Sequence, residues 1–262
     1  MQIGPQTKAL VTGASHGIGR ATAQALAARG ATVGMVARSL DTLEEAAARL
    51  GDRAIPLAAD VSDRTAIEGA VAEYVSRADG MNLLVANAGV ARYAPFFEQD
   101  PGDVDMMVST NVNGTFNTVR AGLGPMLDRG SGHVVVLSSG AALRAFPWAA
   151  AYGATKAANK AFAEALRHER SGTGVSVSTV FPGEVATDLH AEADQLPDWR
   201  DSDGAIPAED VAAAVLRAVE EDRREVHIPS NVRMLGLNDL APGLVDRLLV
   251  ALRGGSAAPR RY

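Results

Sequence analysis

The stretch T-G-A-S-H-G-I-G, from Thr12 to Gly19, decides the fold predicted for this chain. It follows a short apolar run and precedes a helix-forming run, and this order is the unit with which parallel sheets bind dinucleotide phosphates. Gly13 allows a sharp turn, whereas Gly17 and Gly19 let the backbone approach a pyrophosphate and the helix pack closely on the sheet. The spacing, G-x3-G-x-G, departs from the general G-x-G-x-x-G pattern, so a plain turn is the alternative. The flanking strand and helix favour phosphate binding.

Strand and helix patterns alternate along most of the chain. This alternation predicts an α/β fold, a Rossmann-type doubly wound parallel sheet of about seven strands with helices on both faces. Residues 1–262 are predicted to form a single dinucleotide-binding catalytic domain, in which residues 230–262 form a C-terminal extension. Strands are predicted at 8–12, 31–36, 53–58, 82–86, 133–137, 175–181 and 225–229, and helices at 20–29, 40–50, 65–77, 103–126, 149–168 and 207–221.

Two regions depart from this regular pattern. The helix at 103–126 contains Asn111, Asn113 and Gly114, which weaken a helix and predict a kink of functional origin. The extension contains one apolar stripe on a predicted helix at 241–252, formed by Leu244, Val245, Leu248, Leu249 and Leu252. That stripe could pack on its own domain, on a partner subunit or on a membrane surface. Its short length and the small basic cluster after it favour packing.

Composition excludes several classes of function. The net charge is −6 without a large basic cluster, which argues against nucleic acid. The chain has no cysteine and its 5 histidines are scattered, so we expect neither disulfides nor a metal site. No segment approaches the length of a transmembrane span, and the N-terminus lacks the pattern of a signal peptide. We therefore expect a cytoplasmic protein that does not bind membranes.

Arg38 lies just past the second predicted strand, nineteen residues after Gly19. Dinucleotide-binding proteins specific for NAD carry an acidic residue there, which binds the ribose 2′-hydroxyl. Here the position is basic, and no acid follows before Asp41. An arginine suits a 2′-phosphate, so we expect NADP(H) to be preferred over NAD(H); a solvated surface arginine is the alternative.

Tyr152 and Lys156 lie four residues apart in Y-G-A-T-K, within an alanine-rich helical run. Residues at this spacing share one face of a helix, and a nearby cation lowers the pKa of a phenol. A tyrosine adjusted in this way can give a proton to a carbonyl oxygen or take one from an alcohol. Only three of the 25 basic residues are lysines, which suggests a task at position 156 that arginine cannot perform.

Several motifs in order resemble the short-chain dehydrogenase/reductase family, in its single-domain branch of about 250 residues. The resemblance extends from about Lys8 to Val226. Ser139 precedes Tyr152 by thirteen residues, as in that family. The motifs are T-G-A-S-H-G-I-G, Asp60-Val61, Asn87-Ala88-Gly89, Asn111, Ser139, Tyr152 with Lys156, and Pro182-Gly183 with Thr187.

The resemblance implies a catalytic set and a cofactor-binding set. Tyr152 would be the general acid/base, Lys156 would lower its pKa and hold the nicotinamide ribose, Ser139 would bind the substrate oxygen, and Asn111 would hold a relay water. Asp60 would contact the adenine and Asn87 would brace the loop beside the cofactor. For these two, a polar loop residue that satisfies backbone groups is an equal alternative. Pro182, Gly183 and Thr187 would line the nicotinamide carboxamide. The complete implied cofactor set is Gly13, Ser15, His16, Gly17, Ile18, Gly19, Arg38, Asp60, Val61, Asn87, Ala88, Gly89, Tyr152, Lys156, Pro182, Gly183, Val185 and Thr187.

The function expected from these residues is an NADPH-dependent carbonyl reductase, or an alcohol dehydrogenase in reverse, acting on a small-molecule substrate. One alternative is a catalytically silent NADP(H)-binding regulator or scaffold, but the Ser–Tyr–Lys set is intact. Another is an epimerase or dehydratase of the same fold, although such relatives are usually longer.

The substrate and the assembly are also predicted. Residues 186–206 are interpreted as a lid, and aromatic residues near the ligand crevice predict a hydrophobic ketone or aldehyde. Packing of these aromatics onto the protein body is the alternative. We expect a homodimer or homotetramer formed by the helices around Asn111 and Tyr152, with Ala154, Ala158, Phe162 and Leu166 on the contact face. The aromatics are Tyr93, Phe96, Phe97, Phe146, Trp148, Tyr152, Phe181 and Trp199.

Overall fold

The chain forms a seven-stranded parallel sheet with the strand order β3-β2-β1-β4-β5-β6-β7. The computed structural model describes residues 1–187, 204–239, 241–243 and 247. The predicted lid at 186–206, Trp199 and the helix at 241–252 lie largely or wholly outside the described residues. The strands are β1 (Lys8–Thr12), β2 (Thr32–Ala37), β3 (Ala54–Ala58), β4 (Leu83–Ala86), β5 (Gly132–Leu137), β6 (Val175–Pro182) and β7 (Glu225–Ile228).

The reversal of strand order beside β1 creates the crevice in which open parallel sheets bind ligands. β1 pairs with β2 on one side and with β4 on the other. The segments that follow β1 and β4 therefore diverge at the carboxyl edge of the sheet. The central strands are apolar along their length because helices cover both faces. All four residues of β4 are buried.

Two helical layers enclose the sheet. One apolar core lies between the sheet and α1, α2 and α7, and the second lies between the sheet and α3, α5 and α6. Side-chain oxygens of Ser39, Asp63 and Asp100 cap the N-termini of α2, α3 and α4, which explains where these helices begin. The helices are α1 (Gly17–Ala28), α2 (Leu40–Ala48), α3 (Arg64–Ala78), α4 (Pro101–Met107), α5 (Gly114–Arg129), α6 (Ala150–Glu169) and α7 (Ala208–Glu220).

The fold class and the seven strands are confirmed, with boundaries that differ from the prediction by a few residues. The largest difference is the helix at 103–126, which is divided into α4, a π-helical turn at Val108–Asn113, and α5. The kink predicted at Asn111 is this π-turn, a rare element that occurs mostly at functional sites. None of the described helices is long and apolar enough to cross a membrane.

The assembly prediction requires one correction. Leu166 was placed on an exposed face of α6, but its side chain is buried in the core between the sheet and α3, α5 and α6. Ala154 is exposed, and Ala158 and Phe162 are half-buried. Helical spacing in steps of four assigned Leu166 to the wrong side, because each step advances about 40° beyond a full turn and Leu166 therefore lies about 120° around α6 from Ala154.

Candidate active site

A cavity of about 620 Å³ lies at the carboxyl edge of the sheet. Its walls follow the strand order. Asp60 follows β3, Arg38 follows β2, the glycine-rich turn follows β1, and Asn87 follows β4. Ser139 follows β5, and residues 182–187 end and follow β6. The cavity is therefore elongated across the topological switch point, as a dinucleotide requires.

The glycines of the glycine-rich turn allow the backbone to pack closely, and their lack of side chains leaves space for a phosphate. Gly13 has φ +66° and Gly17 has φ +51°, so both adopt a left-handed conformation that favours glycine. A Cβ at Gly17 would lie 3.2 Å from Thr187 Cγ2 across the cavity, and one at Gly19 would collide with the carbonyl oxygen of Gly13. Gly19 does not line the cavity; its role is the close packing of α1 behind the turn.

Asn87 fixes the glycine-rich turn to the neighbouring loop. Its Nδ2 donates to the Thr12 carbonyl at 2.9 Å and to the Gly13 carbonyl at 3.4 Å. The Thr12 hydroxyl oxygen accepts the backbone N–H groups of Asn87 and Ala88, each at 3.1 Å. The amide of Asn87 thus connects the loop after β4 to the glycine-rich turn, and Asn87, Ala88 and Gly89 line the cavity.

Arg38 and Asp60 stand at the end of the cavity beside β2 and β3. Arg38 is exposed and lines the cavity together with Ser39, which caps α2. Asp60 lines the same end, but its Oδ1 also accepts the backbone N–H of Ser62 at 2.8 Å and the Ser62 hydroxyl at 2.7 Å. Asp60 therefore satisfies groups of its own turn, as the alternative interpretation expected, and also lines the cavity.

Tyr152, Lys156 and Ser139 meet at the other end of the cavity. The Lys156 Nζ lies 5.9 Å from the centroid of the Tyr152 ring, on the shared face of α6 that the spacing predicted. Lys156 Nζ donates to the Leu137 carbonyl at 3.3 Å, and the Ser138 hydroxyl donates to the Lys156 carbonyl at 2.8 Å. These two hydrogen bonds connect α6 to the end of β5 and so position the helix that carries Tyr152 and Lys156.

The two serines after β5 have different partners. Ser138 is buried and its hydroxyl is engaged by α6. Ser139 Oγ accepts the backbone N–H of Ala141 at 3.1 Å and lines the cavity, which leaves the Ser139 O–H able to donate to a substrate oxygen. The role of Ser139 as the serine that binds the substrate oxygen stays a prediction.

Burial lowers the pKa of Lys156 to about 8, because the ammonium is removed from water. A lysine with this pKa remains mostly protonated at pH 7, and its ammonium lies 5.9 Å from the centroid of the Tyr152 ring. The sheltered position also strengthens the electrostatic effect of the ammonium, since little water screens it.

Asn111 lies on the π-turn and does not line the cavity. Its Oδ1 accepts the Val90 N–H at 2.8 Å, and its Nδ2 donates to the Val90 carbonyl at 2.9 Å and to Thr155 Oγ1 at 3.0 Å. Thr155 Oγ1 in turn donates to the Tyr152 carbonyl at 2.7 Å. The Asn111 side chain therefore links the loop after β4 to the Tyr152 helix, and its polar atoms already have protein partners.

Most of the implied cofactor residues line this one cavity. The exception is Gly19, already described. The residues that line it are Gly13, Ser15, His16, Gly17, Ile18, Arg38, Asp60, Val61, Asn87, Ala88, Gly89, Tyr152, Lys156, Pro182, Gly183, Val185 and Thr187.

The aromatic prediction is only partly correct. Tyr93, Phe146 and Tyr152 line the cavity, and the rings of Tyr93 and Tyr152 contact each other edge to face with centroids 5.9 Å apart. Phe181 is instead buried below the cavity, stacked on His227. Three further aromatics, Phe96, Phe97 and Trp148, do not line the cavity, and Trp199 lies outside the described residues.

Sequence reasoning missed several lining residues, among them Arg92, Glu184 and Leu235. Arg92 Nε lies 3.7 Å from Asp103 Oδ1, and its Nη1 donates to the Ala91 carbonyl at 3.0 Å. Leu235 belongs to a 3₁₀-helix at Ser230–Asp239. The rule that ligands bind at the carboxyl ends of strands could have identified Leu235, because this helix directly follows β7.

Comparison with known proteins defines the class. The family model described as short chain dehydrogenase matches residues 7–197. The chain belongs to the short-chain dehydrogenase/reductase family, whose members are nicotinamide-dependent oxidoreductases, as the resemblance predicted.

Individual relatives are similar at moderate identity. The glycine betaine reductase ATRR of Emericella nidulans is 36% identical over 231 residues, which are 85% of this chain but only 18% of that protein. A 3-ketoacyl-ACP reductase from Sinorhizobium meliloti has a similar structure, with 36% identity, a TM-score of 0.74, and coverage of 84% of this chain and 96% of the other. An alcohol dehydrogenase from the archaeon Thermococcus sibiricus, complexed with 5-hydroxy-NADP, is 28% identical with a TM-score of 0.75, covering 84% of this chain and 94% of the other.

Proposed function

We propose that this protein is an NADP(H)-dependent oxidoreductase that interconverts a hydrophobic ketone or aldehyde and the corresponding alcohol. The observation that carries this proposal is the meeting of Ser139, Tyr152 and Lys156 at one end of a cavity whose middle is the glycine-rich turn. When bound, the nicotinamide would supply or accept the hydride, and the protein would orient the reactants and move the proton.

Ser139, Tyr152 and Lys156 have separate tasks in this proposal. The Ser139 hydroxyl would donate to the substrate oxygen and hold it beside the Tyr152 phenol. Tyr152 would give its proton to that oxygen in reduction and take it back in oxidation. The Lys156 ammonium, held by the Leu137 carbonyl, would stabilise the phenolate that remains. The Asn111–Thr155 link would keep the Tyr152 turn of α6 in place.

A dinucleotide would extend along the cavity from Tyr152 to Arg38. Backbone groups of the glycine-rich turn and the N-terminus of α1 would hold the pyrophosphate. Arg38 would pair with a 2′-phosphate, because it occupies the position at which a ribose-binding carboxylate would be expected, and no acid follows before Asp41. The Thermococcus sibiricus neighbour is complexed with 5-hydroxy-NADP, whereas a 3-ketoacyl-(acyl-carrier-protein) reductase from Brucella melitensis, 26% identical, is complexed with NADH, so the proposed preference rests on Arg38.

Apolar side chains support the substrate class. Tyr93, Phe146 and Leu235 line the cavity beside Tyr152. The Arg92 guanidinium at this end is paired with Asp103, so its charge is already balanced. A small acidic substrate would compete with that carboxylate, whereas an apolar carbonyl compound would not.

Assembly as a homodimer or homotetramer, and a cytoplasmic location, remain predictions. The exposed ring of Phe116 on α5 lies 4.5 Å, centroid to centroid, from the half-buried ring of Phe162 on α6. Together with Ala154 and Ala158, this aromatic pair forms an apolar face that a second copy could cover. Light scattering at micromolar concentration tests the assembly, and a clean monomer would contradict it.

A turnover screen tests the proposed function. Oxidation of NADPH by the wild type should be measured with aldehydes and ketones of several classes, and the reverse reaction with the matching alcohols. Activity that disappears in Tyr152→Phe would support the proposal. Cofactor binding without turnover of any compound would instead favour the silent regulator considered above.

A further inference from the structure

Three segments frame the cavity on the Tyr152 side. They are the loop after β4 at 87–100, the loop after β5 at 138–149, and the 3₁₀-helix at Ser230–Asp239. Each contributes one large apolar side chain to the cavity, namely Tyr93, Phe146 and Leu235. Each of the three segments therefore presents a large apolar side chain at this end of the cavity, beside the Arg92 guanidinium of the first segment.

These segments are joined to one another, so their relative positions are defined. The Ala94 N–H donates to the Trp148 carbonyl at 3.1 Å, which connects the first two segments. The Arg144 guanidinium donates to Asn238 Oδ1, which connects the second segment to the 3₁₀-helix. The three segments thus form a continuous border around the opening.

Apolar side chains on this border face solvent. Phe96 is 66% exposed, Phe97 is fully exposed at 100%, Met234 is 58% exposed, and Leu237 is 47% exposed. These four, which we call the apolar rim, make up four of the seven large hydrophobic residues exposed in the described part of the chain. Exposed apolar groups concentrated beside a cavity indicate a surface that binds something apolar.

The volume of the cavity indicates what that apolar group is. About 620 Å³ is the size of a site for one drug-sized molecule, and a dinucleotide would occupy most of it. A bound dinucleotide would therefore leave limited space beside Tyr152 for the substrate. Tyr93 lies three residues before Phe96, and Leu235 lies between Met234 and Leu237, so a substrate chain that extends past either lining residue would meet the apolar rim.

We propose that the apolar rim binds the extended hydrocarbon chain of the substrate, so that the preferred substrates are long-chain aldehydes or ketones. This inference rests on the proposed function and adds the substrate class. The rim would hold the chain outside the cavity while Ser139 and Tyr152 bind the carbonyl oxygen inside it.

Chain-length kinetics test the inference. The kcat/KM values with NADPH should be measured for straight-chain aldehydes and 2-alkanones of four to ten carbons, below the concentrations at which they aggregate. Full burial of one methylene corresponds to about a fourfold gain, so a half-covered chain should gain about twofold per carbon over the longest members.

Two double variants remove the rim. Phe96→Ser with Phe97→Ser, and Met234→Ser with Leu237→Ser, change exposed side chains, so the fold should persist, and circular dichroism can verify this. Each should lower kcat/KM about five- to tenfold for ten-carbon substrates and less than about twofold for four-carbon substrates. The matched control is Leu40→Ser, an exposed leucine at the start of α2, which should reproduce the wild-type dependence.

The outcomes separate this inference from the proposed function. A wild type that reduces short and long carbonyls with equal kcat/KM, or rim variants that keep the wild-type dependence, would overturn the inference alone. Loss of binding to phosphatidylcholine vesicles in the rim variants, with unchanged chain-length kinetics, would also overturn it, because the rim would then bind membranes. Absence of turnover for every carbonyl would overturn the proposed function itself.

Discussion

Two buried basic side chains lie near opposite ends of β5, and they differ in whether a ligand can reach them. Lys156 lies at the carboxyl edge beside Tyr152, and burial lowers its pKa to about 8. His133 lies at the other end of β5, where burial lowers its pKa to about 4. The His133 Nε2 is 2.7 Å from Ser178 Oγ, and its Nδ1 is 4.0 Å from Asp222 Oδ1. These are the three residue types of a hydrolytic triad.

A shifted pKa indicates a functional site only where a ligand can reach the titrating group. His133 and Ser178 are both buried and do not line the cavity, and the Ser178 hydroxyl donates to the Arg223 carbonyl. The Ser178 proton is therefore committed to the backbone, and His133 acts as a structural donor. Lys156 has the same kind of perturbation but opens onto the cavity.

The largest effect is expected at Tyr152. Tyr152→Phe keeps the ring and its contact with Tyr93 but removes the proton donor, so kcat for reduction should fall by at least about 10²-fold. NADPH binding, measured by fluorescence titration, should be nearly unchanged. A variant with the wild-type kcat would exclude Tyr152 as the general acid and would contradict the assignment of catalysis to the carboxyl edge of the sheet.

Arg38 should decide the cofactor. Arg38→Asp removes the partner of the 2′-phosphate and adds a repelling charge, so the preference for NADPH should shift toward NADH by about 10- to 100-fold. Dissociation constants of both cofactors should be compared with those of Arg49→Asp, the same change at an exposed arginine outside the cavity. A wild type that binds NADH more tightly than NADPH would contradict the prediction.

Thr155 should have a smaller effect, because it acts through its neighbours. Thr155→Val keeps the shape but removes the hydroxyl that connects Asn111 Nδ2 with the Tyr152 carbonyl. A lost buried hydrogen bond costs about 1 kcal/mol, so kcat should fall about three- to tenfold while the KM for NADPH changes little. Thr155→Ser retains the hydroxyl and should recover most of the activity. If Val and Ser variants behaved alike, the hydroxyl would have no positioning role.

The parts of the fold and site that the sequence predicted were those set by local pattern. The glycine-rich turn required a strand before it and a helix after it, and the spacing of Tyr152, Lys156 and Ser139 places them on adjacent elements at one sheet edge. Long-range contacts were not accessible in this way. The bonds from Asn111 to Val90 join residues that are 21 positions apart, and no pattern in either segment indicates them.

The directions of side chains in loops also could not be predicted from the sequence. Tyr93 lines the cavity whereas Phe96 and Phe97, three and four residues later, face solvent. A loop has no period from which to read these directions, whereas a helix or strand does. Leu166 shows a further limit even in a helix, because the face that is buried depends on the neighbours that cover it.

His133 is expected to affect stability and leave turnover unchanged. Its pKa in the folded protein, about 4, lies below the ordinary value of 6.5, mainly through burial; the N-terminal amino group and Arg167 lower it further and Asp222 opposes them. The unfolded chain therefore binds the proton first as the pH falls, so His133 favours the folded state fully above about pH 6.5 and loses this contribution between pH 6.5 and 4. That difference corresponds to about 3 kcal/mol of unfolding free energy.

Urea denaturation at pH 7.5 and 5 should show a smaller loss of stability in His133→Gln than in the wild type, with His168→Gln, an exposed histidine, as control. Equal losses in all three proteins, or a fall of kcat in His133→Gln, would mean that this buried cluster is not the sealed structural counterpart of the Lys156 site.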